Sequence, residues 1–290
     1  MLPPRFKSAS GYIESCPVGC QSKLQITDIL LPEGPLLRCP ECAQLVSQCS
    51  EESYWQSMRE FDDPRGTLPA ADSMQRRIQQ GSRSLRIISQ LLEKPEQYTR
   101  LLDVGCSSGA FLSTARQLGF NAEGVEPAPK AAQSAIQAGF KVHSGTLQSA
   151  GFATGIFDAL TLFEVIEHLK SPLELLMECH RILQPEGILL IGTGNSASWT
   201  AAVMKSRWQY FHIEHHGGHI SFFNPLSMRL LAERVGFTLQ SVETRNVRFF
   251  EKGDVPPPVY RLAKTASELL NLPAKLLGKG HDQLAILRPR

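Results

Sequence analysis

The chain has 290 residues, 42% of them hydrophobic and 20% charged, which suits a globular fold and excludes a disordered or fibrous one. A net charge of +2 supplies no general attraction for nucleic acid, and no apolar run reaches membrane-spanning length. The first ten residues lack the apolar stretch of a secretory signal, so the expectation is a cytoplasmic protein.

Five of the seven cysteines fall in the first fifty residues. The pattern is Cys16-Pro-Val-Gly-Cys20, then eighteen residues, then Cys39-Pro-Glu-Cys42. Two cysteine pairs on short turns, separated by a hairpin-sized segment, predict a zinc ribbon with four thiolate ligands. The metal replaces the core that so short a segment cannot build. Cys49 is left over as a spare thiol. Between residues 12 and 48 Lys23 and Arg38 face Glu14, Asp28, Glu33 and Glu41. That acidic balance disfavours a phosphate-tracking surface and predicts a docking or substrate-contact module at residues 1–50.

Residues 51–98 read as a linker and helical lead-in. Tyr54, Trp55 and Phe61 are followed by a Pro/Gly-marked loop, and Met74, Ile78, Leu85, Ile88, Leu91 and Leu92 recur at helical spacing. Asp72 or Ser73 suits the N-cap. Arg76, Arg77, Arg83 and Arg86 read as a solvated helix face.

Residues 99–290 form the third region. Leu101-Leu102-Asp103-Val104-Gly105-Cys106-Ser107-Ser108-Gly109 reads as a buried strand, a tight glycine turn and the start of a helix. Such turns at the carboxyl end of a strand bind ligands in open α/β sheets. A second strand ends at Glu126, whose carboxylate suits the two hydroxyls of a ribose. A dinucleotide fingerprint needs G-x-G-x-x-G, and Ser107 and Ala110 break it. The ligand is therefore expected to be another nucleoside derivative.

The stretch from Leu101 to Gly109 resembles motif I of class I S-adenosylmethionine (SAM)-dependent methyltransferases. The resemblance covers most of residues 99–290. It implies a Rossmann-like α/β fold with a seven-stranded, mostly parallel sheet whose last strand is antiparallel. It also implies that Asp103, Gly105, Ser107, Gly109, Glu126 and Phe163 line the SAM site. Gly145-Thr146-Leu147 lacks the acidic residue many relatives use for adenine, so Thr146, Leu147 or backbone is expected there. Phe163-Glu164-Val165-Ile166-Glu167-His168 resembles the fourth-strand motif of ubiquinone-biosynthesis O-methyltransferases. That resemblance links Glu164, Glu167 and His168 to a divalent cation such as Mg²⁺. His168 is also a candidate general base, and capping and packing of the next loop is the competing reading for Glu167 and His168.

Ser171-Pro172-Leu173-Glu174 starts a helix, and Gln184-Pro185-Glu186-Gly187 turns into the strand 188–192. Four of the eight histidines lie in residues 212–219. His219 best fits a histidine of similar methyltransferases, and this loop is expected to cover the acceptor. His212, Glu214, His215 and His216 match no His-Glu-x-x-His signature, so packing is the preferred reading for them. A strand is expected over 238–247 and the last over 283–287, with a helical insertion over 248–282. Within it the segment 259–277 is apolar and basic. It either packs on the domain or lies on a membrane or a lipid-like acceptor.

The expected function is O-methylation of a small molecule, a saccharide or a lipid-linked intermediate, with His168, His219 and Glu167 managing the acceptor proton. Two alternatives are RNA methylation with the ribbon gripping RNA, and a non-catalytic SAM-binding interaction protein. The sequence leaves the oligomeric state open.

Overall fold

A computed structural model describes residues 11–59, 71–213, 217–250 and 255–290, with side chains for all of these but 71–80. Phe61, Glu214, His215 and His216 lie outside the described residues, as do the side chains of Met74, Arg76, Arg77 and Ile78.

The larger sheet grows from β4 (Arg100–Val104), the strand before the glycine turn. β5 (Asn121–Glu126) and β6 (Val142–Ser144) extend it to one side, all in parallel. The chain then returns across β4 and adds β7 (Phe157–Phe163) and β8 (Leu183–Gly194) to the other side, again in parallel. β10 (Phe237–Arg245) and β11 (Asp282–Pro289) complete the spatial order β10-β11-β8-β7-β4-β5-β6. The last strand, β11, runs antiparallel to both its neighbours. This is the seven-stranded, mostly parallel sheet the sequence predicts. The direction of growth reverses between β4 and β7, which places the ligand crevice at their carboxyl ends.

Both sheet faces are covered, which explains the unbroken apolar runs in these strands. Along β7, Leu160 and Leu162 enter one buried cluster and Ala159 the other, as the two-residue strand period requires. Helix α2 (Ala71–Leu92) closes the second face with Leu85 and Ile88, both fully buried. The helices α3 (Ala110–Gln117), α4 (Pro129–Gln137) and α5 (Pro172–Ile182) follow β4, β5 and β7. The turn expected at Gln184–Gly187 lies inside β8 as a bulge, since Phe157 pairs with Leu183 but Ala159 pairs with Ile188.

The cysteine-bearing segment forms a second sheet. β1 (Gln25–Leu31), β2 (Gly34–Arg38) and β3 (Leu45–Val46) are antiparallel, and the fourth strand, β9 (Ser221–Phe222), comes from the distant histidine-rich segment. Cys16, Val18, Cys39 and Cys42 share one buried cluster with Phe157, Leu176, Phe223 and Phe237 of the larger domain. A single apolar core thus runs from the ribbon into the parallel sheet. Helix α1 (Glu51–Arg59) follows β3. Two short helices flank the aromatic segment, α6 (Trp199–Met204) before it and α7 (Pro225–Arg234) after β9. Among the described residues of the insertion before β11 there is one helix, α8 (Pro257–Leu276), after the bridge residue Val255.

Candidate active site

The donor side is built at the carboxyl end of β4. Gly105 has φ 79° and Gly109 φ 87°, conformations that a side chain resists. A Cβ on Gly105 would lie 2.4 Å from Val165 Cγ2, and one on Gly109 2.8 Å from the Phe140 ring. Ser107, at φ 49°, also holds the left-handed region, where the dinucleotide fingerprint would put glycine. Its amide donates to Glu126 Oε2 at 2.8 Å, and the Ala128 amide donates to Oε1 at 2.8 Å. The carboxylate expected to meet the ribose is therefore aimed at the glycine turn by two backbone donors, with further lone pairs on each oxygen for hydroxyls. Gly124, which the sequence reading passed over, keeps the strand beneath the loop: a Cβ there would lie 2.5 Å from Cys106 Sγ.

Asp103 is buried behind the turn and accepts from Thr161 Oγ1 at 2.7 Å. Burial pushes its carboxyl up to about 7; the Thr161 hydroxyl opposes this and the nearby Glu126 charge adds to it. Phe163 ends β7 half-buried, with its ring edge-on to Phe111 at 5.2 Å. Thr146 is exposed, and its Oγ1 accepts from the Ser149 amide at 3.2 Å. The same turn touches the donor strand, because the Gly145 amide donates to the Glu126 carbonyl. The residues expected to line the donor site thus meet at one sheet edge.

A second cluster, the candidate acceptor side, assembles around Glu167, which is completely buried. Tyr210 Oη donates to Oε1 at 2.7 Å and Thr193 Oγ1 donates to Oε2 at 3.0 Å. The Gly194 amide in turn donates to Tyr210 Oη at 2.9 Å. His219 Nδ1 donates to the Tyr210 carbonyl at 3.1 Å, which turns Nε2 toward Glu167 Oε1 at 3.7 Å. The His168 and His219 rings meet edge to face at 4.7 Å. Burial raises the Glu167 pKa, but the His219 and then the His168 imidazole bring it below the usual carboxylate range. Burial lowers the His168 pKa and the Glu167 charge partly restores it. Burial, then the Glu164 and Glu167 charges, keeps the Tyr210 phenol protonated. Glu167 is therefore an anion held by hydroxyl donors, with His219 beside it.

The three predicted residues Glu167, His168 and His219 converge, their ligand atoms all within 4.8 Å of one another. Glu164, at a left-handed φ of 54° and exposed, lies outside that converging set. One carboxylate and two imidazoles match a borderline cation better than Mg²⁺, which takes oxygen ligands. His212 turns away, with Nε2 2.6 Å from the Ser206 carbonyl.

Sequence reading missed the residues that hold this cluster. Tyr210 and Thr193 lie on separate segments, and the one available signal was the aromatic run Trp208–Phe211. Helix α1, read as a linker, supplies Tyr54 Oη to the His168 carbonyl at 2.9 Å and Ser57 Oγ to the Gly218 amide at 2.8 Å. The Ile220 amide donates to the Glu167 carbonyl at 3.0 Å, and the Ser47 amide to the Ile220 carbonyl at 2.9 Å. The N-terminal segment is thus a wall of the Glu167–His168–His219 cluster.

The cysteine quartet stands against the same segment. Cys16, Cys20, Cys39 and Cys42 are all buried with their sulfurs within 4.8 Å of one another, and Cys49 lies outside that set. Cys16 Sγ is 3.5 Å from Cys42 Sγ, and that contact, opposed by burial, lowers the Cys16 pKa to about 5. Burial raises Cys20 to about 12. Four soft donors converging in a buried tetrad fit a structural Zn²⁺. Arg234 on α7 donates to the Gly19 carbonyl and reaches Cys20 Sγ at 3.7 Å, while Asn224 Nδ2 donates to the Cys42 carbonyl at 3.2 Å.

A family model described as methyltransferase domain matches residues 74–242, which span the donor turn, Glu167 and His219. The chain belongs to the methyltransferase domain family. A curated relative, the ubiquinone biosynthesis O-methyltransferase of Xanthomonas oryzae pv. oryzae (strain PXO99A), is 31% identical over 119 residues, covering 38% of this chain and 49% of that protein. The protein of the same name from Cereibacter sphaeroides (strain ATCC 17025) is 31% identical over 122 residues, covering 39% of this chain and 49% of its own length. The chain thus spans about half the length of the curated relatives it matches. A SAM-dependent methyltransferase from Archaeoglobus fulgidus shares the fold at a TM-score of 0.52 and 18% identity, over 73% of this chain and 94% of that one. The chain therefore carries a methyltransferase domain, on the fold of a solved SAM-dependent methyltransferase.

Proposed function

We propose that this methyltransferase moves the methyl group of SAM to an oxygen of a small molecule, a saccharide or a lipid-linked intermediate. The observation that carries the reading is the buried Glu167–His219–Tyr210 cluster, with His168 at its edge, on the sheet edge that carries the donor turn. SAM supplies an activated sulfonium leaving group, so the chain needs to orient the acceptor and take its proton. Gly105, Ser107 and Gly109 open the backbone to the donor, and Glu126 holds its ribose. Asp103 lies buried behind the turn on Thr161, and Phe163 at the end of β7 and Thr146 just past β6 flank the donor. His168 takes the acceptor proton, since its lowered pKa leaves the imidazole neutral near pH 7. Glu167 stabilises the imidazolium that forms, and His219, which is buried with both ring nitrogens directed into the protein, holds Glu167 in place.

Zn²⁺ held by Cys16, Cys20, Cys39 and Cys42 supplies structure to this reading, fixing the ribbon against Asn224 and Arg234. The domain boundaries that follow are a ribbon to residue 50, a lead-in to 98 and the transfer domain to 290, in a cytoplasmic protein. The relatives' name, ubiquinone biosynthesis O-methyltransferase, supports an oxygen acceptor. No residue role in this mechanism depends on Mg²⁺, and transfer is expected to persist in chelator while the ribbon metal stays bound.

The test is transfer of labelled methyl from SAM to a cell extract fractionated into lipid, saccharide, RNA and protein. Label in the small-molecule, lipid or saccharide fraction supports the reading. Label in RNA replaces it with the RNA reading, and intact donor binding without label in any fraction supports a non-catalytic interaction protein. A pH–rate profile assigns the base. Its acidic limb should fall below pH 6.5 in wild type and move lower in Glu167→Gln, because the charge that raises the His168 pKa is gone. An unmoved limb removes His168 from the role.

A further inference from the structure

Helix α8 turns two small residues inward and four of its leucines outward, with Leu270 partly buried between the faces. Ser267 and Ala274 face the domain, while Leu262, Leu269 and Leu276 are 74%, 76% and 77% exposed. Seven residues separate each leucine from the next, so they stack along one outward stripe, joined by the exposed Leu272. This is the reverse of a helix that packs by its apolar face. Leaving three leucines in water forfeits a large burial free energy, so the stripe calls for an occupant.

Charge identifies that occupant. Arg261, Lys264 and Lys275 form one flank of the stripe, with Lys279 just beyond, and Glu268 is the one acid between residues 255 and 280. Those residues carry three net positive charges, although the whole chain carries only two. A cavity of about 220 Å³ opens beside the same end of the helix, lined by Arg83, Arg245, Asn246, Asn271, Leu272 and Lys275. Glu243 pairs with two of its cations, Arg83 and Arg245, and leaves the cluster net positive. A second copy of the chain would bring these basic flanks together with one Glu268 on each side, and Glu268 already lies 3.9 Å from Lys264. An apolar stripe beside a basic flank and a basic cleft instead matches an anionic lipid surface.

Topology gives the contact a purpose. β10 and β8 run in the same direction because β11 is antiparallel to both. The chain therefore leaves β10 and re-enters β11 at the sheet edge that holds Glu126 and Glu167. Asn195, just past β8, donates to the carbonyls of Gly278 and Gly280 at 3.1 and 2.8 Å, which ties the end of the insertion to that edge. No helix of the described residues is long and apolar enough to cross a membrane, so α8 is suited to lie on a bilayer. We propose that α8 docks the protein on an anionic bilayer surface, leucines in the acyl boundary and the basic flank on lipid phosphates, with the active-site edge turned toward the lipid. The surface is independent of the acceptor's identity and is measurable without any turnover.

The test is co-sedimentation of the full-length protein with phosphatidylcholine vesicles, with and without phosphatidylglycerol. Binding should be about tenfold or more stronger to the anionic vesicles and should weaken with salt. The triple variant Leu262→Ser, Leu269→Ser, Leu276→Ser should lose it by roughly a hundredfold. Arg261→Gln with Lys264→Gln should remove the anionic preference. Both variants alter exposed side chains, so binding of demethylated SAM should be unchanged in them. Leu269→Trp should give a blue-shifted emission on vesicle addition. Failure of wild type to bind either vesicle overturns the proposal, as does equal binding by the triple variant. A concentration-dependent dimer that the triple variant abolishes assigns the stripe to a second copy and also overturns it. Competition by free glycerol phosphate at the strength of the vesicles would assign the cleft to a soluble phosphate and overturn the bilayer reading.

Discussion

The proposed donor side and the proposed acceptor side of this molecule are made in different ways. On the donor side, residues 101–109, Glu126 and Thr161 meet through three neighbouring parallel strands, and backbone amides aim the key carboxylate. On the acceptor side, Glu167 is held by Thr193 and Tyr210, its backbone is tied to Ile220, and Ile220 is tied to Ser47. The first needs one correct sheet. The second needs the sheet, the aromatic segment, the histidine segment and the cysteine ribbon together. The donor half should therefore survive insults that dismantle the acceptor half.

Removing the zinc proposed for the four cysteines should separate the two halves most sharply. Structural zinc in small domains contributes about 10 kcal/mol or more of folding free energy, so its loss should disorder the ribbon and its pairing with Ser221–Phe222. Transfer should fall at least about a hundredfold while calorimetry still detects donor binding. If both fall together, the halves are one cooperative unit. The donor half has its own largest effect in Asp103. Its carboxyl titrates at about 7 in the fold against an ordinary value near 4. Between those values the folded state binds a proton that the unfolded state has released, so ligand-free stability falls as pH rises. The loss amounts to about 4 kcal/mol. Denaturation of Asp103→Asn should show that slope removed, with the ribbon's metal content unchanged.

Glu126→Ala takes away the ribose carboxylate and leaves two amides without their acceptor. Donor affinity should drop by about 3 kcal/mol, with the acceptor cluster intact by its fluorescence and melting. Tyr210→Phe is the mirror experiment. Loss of one hydrogen bond to a buried carboxylate costs about 2 kcal/mol, and it should slow transfer about thirtyfold with donor affinity unchanged. An equal loss of donor affinity would refute the division. The smallest effect is expected from Asn224→Ala. Asn224 caps α7 through its Oδ1, which accepts from Leu226 and Ser227, and reaches the Cys42 carbonyl through Nδ2. A lost cap costs about 1 kcal/mol, and metal release from the ribbon should quicken only modestly.

The same division governs how much the sequence reveals. Residues 101–126 can be read because a strand, a tight turn and an acidic strand end are short-range patterns. The cysteine spacing can be read for the same reason, and the Glu164–His168 motif through its family resemblance. Tyr210, Thr193 and Tyr54 carry no local pattern, and only the fold brings them to the residues they hold. β9 is two residues long, too short for an alternation to be seen, so the docking or substrate-contact module can be read from the sequence without the strand it takes from residues 221–222. In segment 259–277 the amphipathic pattern is plain. Which face turns outward is set by packing on β10, where Ser267 and Ala274 are buried and Thr244 donates to the Ala274 carbonyl.

The pairing of β3 with β9 also sets an order on the protein's birth. Gln44 and its partner Ser221 are 177 residues apart. At ribosomal speeds of about 5–20 residues per second, the ribbon waits roughly ten to forty seconds before its last strand is made. Over that interval the edge of β3 is an open template for any other extended chain. Early metal capture by the four cysteines would keep the ribbon compact during the wait, and zinc supply would then govern yield as well as stability.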